Sequence, residues 1–239
     1  MEFESFFKEI KEKLEKVNIN IEEKQAKNLY KYMKLMLEWN EKINLTAITE
    51  PKEVILKHFV DSLTILKYLE KEEKIIDVGT GAGFPGIPLN IMNDDCEYTL
   101  LDSLNKRIIF LNEVISKLQL KNIETIHSRV EEFGKSKKYR ENYDIATSRA
   151  VAPLNVLLEY LLPLVKVNGI CICMKGSNVK EEIEDSKNAI SILGGKLEKI
   201  ETINLPDSDI TRNIVIIRKI KNTPAKYPRK PGTPTKEPI

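Results

Sequence analysis

The run Ile75-Ile76-Asp77-Val78 passes directly into Gly79-Thr80-Gly81-Ala82-Gly83-Phe84-Pro85-Gly86, and this stretch constrains the chain more than any other. An apolar strand that ends in a glycine-rich turn is the pattern by which a parallel strand hands over to a helix at a nucleotide-like ligand. The glycines let the turn adopt positive φ and let backbone approach the ligand without a Cβ in the way. The acid at the strand end, Asp77, is expected to hydrogen-bond a polar group held over the turn. Read alone, the string is ambiguous. Gly81-x-Gly83-x-x-Gly86 satisfies the dinucleotide pattern, and Gly79-x-Gly81-x-Gly83 satisfies the turn of S-adenosylmethionine (SAM) enzymes. A glycine-rich turn with no ligand is the bland alternative. Asp102 ends the next apolar strand, Tyr98 to Leu101, where an acid holds ribose hydroxyls in either class.

The surrounding chain is organised in three parts. Residues 1–70 read as helical. Phe3, Phe6, Phe7, Ile10 and Leu14 share one helix face. Asn20 with Glu23 reads as a capping box opening a second helix that stops near Trp39-Asn40. Pro51 then suits the first turn of a helix carrying Val54, Ile55, His58 and Phe59. Residues 71–220 alternate strand and helix, with strands expected at Lys74 to Val78, Glu97 to Leu101, Ile123 to His127, Tyr143 to Ala146 and Gly169 to Met174. That alternation predicts an α/β fold with a mostly parallel sheet. Lys196 to Asn204 and Asn213 to Lys219 are joined without a helix, which predicts a terminal antiparallel hairpin. Residues 221–239 form a basic tail rich in Pro, Gly, Thr and Lys. Composition reads it as unable to form a core element. It is either a disordered end or a basic arm, with Tyr227 as an aromatic, that lies against phosphates and bases.

Composition removes several classes. With 41% hydrophobic residues the chain of 239 can bury a core, and a net charge of +2 means that it is no polycation. No run of about 18 apolar residues marks a membrane span. The start lacks a basic and then apolar leader, so a cytoplasmic protein is expected. Cys96, Cys171 and Cys173 are an odd set, two of them inside an apolar run, and read as buried reduced thiols. With only His58 and His127 beside them and no C-x-x-C, no metal site is expected.

Three features favour SAM over a dinucleotide. No second domain for a redox substrate follows the sheet. A helix-free closing hairpin is the class I methyltransferase (Rossmann-like) arrangement. The polar turn His127-Ser128-Arg129-Val130-Glu131 ends the third strand where such enzymes hold adenine. The chain as a whole then resembles the RsmG (GidB) family, the bacterial 16S rRNA guanine-N7 methyltransferases. The strings that carry the resemblance are Leu37-Glu38-Trp39-Asn40-x-x-x-Asn44-Leu45-Thr46, His58-Phe59-x-Asp61-Ser62 and Asp77 through Pro88. They continue with Asp102-Ser103-x-x-Lys106-Arg107, Ser148-Arg149-Ala150-Val151-Ala152, Lys175-Gly176 and Tyr227-Pro228-Arg229-Lys230-Pro231-Gly232-x-Pro234. They run from the N-terminal helices to the tail.

The resemblance implies SAM contacts at Gly79, Phe84, Asp102, Ser103, Leu104, Val130, Glu131 and Arg149. It implies methylation of guanine 527 in the decoding region of 16S rRNA, with the small ribosomal subunit as partner. A monomer is expected. Guanine N7 carries a free lone pair, so no catalytic general base is expected and rate rests on orientation. His58 reads as a packed helix residue. Lys106, Arg107, Lys175, Arg229 and Lys230 are the candidate RNA contacts. A class I methyltransferase of a small molecule or protein, and a non-catalytic RNA-binding module, are the competing readings.

Overall fold

The computed structural model describes residues 1–177 and 179–239. The chain opens with helices α1 (Phe3–Glu15) and α2 (Glu23–Ile43). A continuous helical stretch follows, built from α3 (Pro51–Val54), a π-helical turn (Ile55–Val60) and α4 (Asp61–Leu63). Then come β1 (Lys74–Val78), α5 (Gly86–Met92), β2 (Glu97–Asp102), α6 (Asn105–Leu118), β3 (Ile123–His127), α7 (Val130–Phe133), β4 (Tyr143–Arg149) and α8 (Leu154–Leu161). The last elements are β5 (Val165–Lys175), α9 (Val179–Ile192), β6 (Gly195–Asn204), β7 (Thr211–Lys219) and the short α10 (Thr233–Lys236).

The seven strands form one sheet in the order β3-β2-β1-β4-β5-β7-β6. The first five are parallel, and β7 runs antiparallel to both neighbours. This is the α/β arrangement expected from the alternation and the closing hairpin. Both faces of the sheet are covered. Successive residues of a strand point to opposite faces, and neighbours along these strands join different apolar clusters. Ile75, Leu100, Ile145 and Ile172 pack with the N-terminal helices, whereas Ile76, Leu101, Ala146 and Cys171 pack with α8 and α9. The strands therefore read as continuous apolar runs rather than alternating ones.

The helical layer is built into the core of the sheet. Phe6 and Phe59 meet edge to face at 6.2 Å, and Tyr32 lies 5.4 Å from Phe84 of the glycine turn. The buried Tyr32 hydroxyl donates to the Ala82 carbonyl in that same turn. Two local expectations differ. The capping box is Glu22 with Gln25, not Asn20 with Glu23, and α2 continues to Ile43, where Asn44 closes it in the left-handed conformation. The wide turn at Ile55–Val60 is invisible to periodicity; it contains His58 and leads directly into the buried Asp61.

The tail also differs from its compositional reading. Tyr227 is 6% exposed and joins the α8–α9 cluster. Proline removes donors from a segment and leaves carbonyls to satisfy. One guanidinium with five N–H groups does this here. Arg140 donates to the carbonyls of Thr223 at 2.7 Å, Tyr227 at 2.7 Å and Gly134 at 3.1 Å. Arg229 then pairs with Glu159 on α8.

Candidate active site

A cleft of about 540 Å³ opens at the carboxyl ends of β1, β2, β3 and β4. That is the size of a cofactor site and the place where open parallel sheets bind ligands. Its floor is the turn after β1. Gly79 has φ +69°, and a Cβ there would lie 2.6 Å from Val151 Cγ2. The amides of Gly79 and Thr80 both donate to the Leu101 carbonyl, at 2.8 and 3.1 Å, which ties the turn to the end of β2.

Asp77 does not reach over the turn as expected. It is buried beneath it, accepting from Thr80 Oγ1 at 2.7 Å and from the Gly86 amide at 2.9 Å. Its Oδ1 has no hydrogen-bond partner among the described residues. Burial pushes the carboxyl up to about 6, against the opposing pull of those two bonds and of Arg149. An acid raised on folding holds its proton in the native state between about pH 4 and pH 6, so its contribution to stability falls as pH rises through that window. Asp77→Asn is expected to remove up to roughly 3 kcal/mol of that pH dependence. Urea unfolding from pH 4 to pH 7 checks it, and an unchanged slope rejects the assignment.

Asp102 lines the cleft from the end of β2. Its Oδ1 accepts from the Leu104 amide at 2.9 Å, and its Oδ2 from the Gly81 amide at 2.9 Å and Arg107 Nη1 at 3.1 Å. A carboxylate has about four acceptor positions, so one remains for a ligand hydroxyl unless Arg107 gives way. Ser103 lines the cleft beside it, as do Val130 and Glu131 from the start of α7. Leu104 is not on the lining. The residue is 43% exposed, and its amide serves Asp102. Glu131 is shared between the cleft and the tail, because its Oε1 accepts from the Gly232 amide at 3.0 Å.

Phe84 and Arg149 close the far end. The Phe84 ring is stacked by His58 at 4.3 Å and covered by the Arg149 guanidinium at 5.0 Å. Arg149 donates to the Lys57 carbonyl at 3.1 Å and to Asp61 Oδ2 at 3.3 Å, and Arg212 Nε holds both Asp61 oxygens at 3.1 Å. Burial pulls the Arg149 pKa below its ordinary range, opposed by Asp61 and Asp77.

Seven of the eight expected contacts therefore share one cleft, and Thr46, Arg129, Ala150 and Tyr160 join them. Thr46 and Asp61 belong to strings that the resemblance singled out. Arg212 carries no signal in the sequence. The candidate RNA contacts divide. Lys106 and Lys230 are exposed. Arg107 pairs with Asp102, Arg229 with Glu159, and Lys175, 8% exposed, with Glu182.

A sequence model of the GidB family, described as rRNA small subunit methyltransferase G, matches residues 25–214. The chain belongs to the GidB family. Relatives named ribosomal RNA small subunit methyltransferase G extend the match over nearly the whole length. The protein of Alkaliphilus metalliredigens is 54% identical over 96% of this chain and 97% of its own. That of Clostridium perfringens is 53% identical over 98% and 99%. Solved structures share the fold at low identity. A SAM-dependent methyltransferase from Aquifex aeolicus superposes with a TM-score of 0.53 at 18% identity, over 70% of this chain and 93% of that one. TYW2 of M. jannaschii, solved in complex with AdoMet, gives 0.54 at 16%, over 67% and 75%. This GidB member has no helix long and apolar enough to cross a membrane and no cluster of three His, Cys, Asp or Glu, both among the described residues.

Proposed function

We propose that this GidB protein transfers the methyl group of SAM to N7 of a guanine in 16S rRNA, guanine 527 of the decoding region, on the small ribosomal subunit. It works as a cytoplasmic monomer. The observation that carries the reading is one cleft that gathers Gly79, Phe84, Asp102, Ser103, Val130, Glu131 and Arg149 at the carboxyl edge of the sheet. The residues suit the cofactor. The cradle at Gly79 is one that a Cβ would fill, Asp102 keeps an acceptor for a ribose hydroxyl, and Glu131 and Val130 border the adenine. Arg149 is a bidentate donor for the methionine carboxylate. Leu104 contributes by holding Asp102.

SAM, when bound, supplies an electrophilic sulfonium methyl. The residues of the cleft orient the two partners, and no proton has to leave N7. His58 fits that division of labour. Burial and the nearby Arg149 charge hold its pKa down at about 3, so it stays neutral near pH 7 and serves packing and hydrogen bonding.

Small subunits from cells lacking this activity, incubated with labelled SAM, are expected to gain 7-methylguanine at a single site. Gly79→Asp is expected to abolish both the label and SAM binding, because any side chain at φ +69° meets Val151. Label absent while SAM still binds would move the substrate elsewhere.

A further inference from the structure

Thr46 lies in the loop between α2 and α3 and lines the cleft. Its Oγ1 is 2.9 Å from His58 Nε2 and 3.0 Å from the Ile48 amide nitrogen. The direction of the His58 contact is set from the other side of the ring. Arg149 Nη2 lies 3.2 Å from His58 Nδ1, and a guanidinium has only donors. Nδ1 therefore presents its lone pair, and the proton of the neutral ring sits on Nε2. Stacking on Phe84, with 13° between the planes, holds the ring in the plane of these contacts. Nε2–H then donates to Thr46 Oγ1, and so does the Ile48 amide. Both lone pairs of the hydroxyl are taken. Its single proton is left to donate, on a residue that borders the cleft.

We propose that Thr46 is a base-reading residue whose hydroxyl donates to O6 of the target guanine. The proposal rests on the reading of the cleft as the site of guanine N7 methylation. N7 and O6 are neighbouring acceptors on one edge of guanine, whereas adenine carries an amino donor where guanine has O6. A hydroxyl that can only donate bonds guanine and repels adenine, and it places N7 beside the bonded oxygen. Thr46 comes from the helical layer and not from the strand-end turns, and the cation available to the methionine carboxylate is Arg149.

The proton arrangement and its consequence are tested separately. Nitrogen-15 NMR of the full-length protein is expected to show His58 as the Nε2–H tautomer with no titration from about pH 5 to 8. The Nδ1–H tautomer would spend the Thr46 proton on His58 and overturn the proposal. Thr46→Val is expected to lower kcat/KM on unmethylated small subunits about tenfold to a hundredfold while changing SAM affinity less than about twofold. Thr46→Ser restores most of the rate. Equal losses of SAM affinity and rate in Thr46→Val would assign the hydroxyl to the cofactor or to loop packing, and unchanged kinetics would deny it any acceptor on the base. If wild-type protein binds SAM but leaves the subunits unlabelled, the methylation reading itself fails, while the tautomer still reports on the Arg149–His58–Thr46 chain.

Discussion

Arg229→Ala is expected to destabilise the protein by about 3 kcal/mol, because it leaves a buried carboxylate without its partner. Glu159 is 1% exposed. Its two oxygens take four bonds from Arg229, from the backbone amide at 2.7 Å, from Nε at 2.9 and 3.1 Å and from Nη2 at 2.6 Å. For a chain of this length the loss corresponds to a fall in Tm of roughly 6–12 °C. Amide exchange is expected to accelerate across residues 221–239. Releasing the tail also takes away the Gly232 amide from Glu131, so SAM affinity should weaken although no residue on the cleft lining has changed. The double variant Arg229→Leu with Glu159→Leu removes both charges and is expected to recover most of the stability. If Arg229→Ala melts like the wild type, the pair is not the clasp described.

Arg149→Met is expected to cost both binding and stability. The side chain is three things at once: a donor to the Lys57 carbonyl, a partner of buried Asp61 and a cover for Phe84. Arg212 stays on Asp61, which limits the destabilisation to about 2 kcal/mol. Loss of a charge-assisted bond to a carboxylate predicts SAM binding weaker by about tenfold to a hundredfold. Arg149→Lys is expected to recover little, since an ammonium lacks the planar fork that reaches several acceptors together. Calorimetric titration with SAM, beside thermal unfolding, checks both parts. Full affinity in Arg149→Met would remove the residue from the cofactor site.

What was legible in the sequence had a local cause. Ile75 to Gly86 announces a strand, a turn and a ligand position within twelve residues, and the structure puts the cleft there. The two strand-like runs at the end of the sheet show the hairpin because no helical pattern lies between them. The failures have a common origin in distance along the chain. The tail reads as coreless because its burial depends on Arg140 and Glu159, 83 and 70 residues from the groups they hold, which no local pattern reveals. Lys175 and Arg107 look like free cations until Glu182 and Asp102 are placed beside them. Asp77 reads as a ligand contact because the alternation cannot say on which side of the turn its carboxyl lies.

The strand order has a consequence for the chain as it is made. β6 bonds only to β7, and β7 is the strand that fills the gap beside β5. During synthesis β6 leaves the ribosome first and finds no place in the sheet. Until Lys219 has been added, β5 keeps an unpaired edge, with Ile170, Ile172 and Met174 on one face and Cys171 and Cys173 on the other. An apolar strand with an open edge is the kind of surface that associates wrongly or recruits a chaperone. The sheet is thus sealed from within by one of its latest pieces, and a nascent chain stalled between the two hairpin strands would be at its most adhesive.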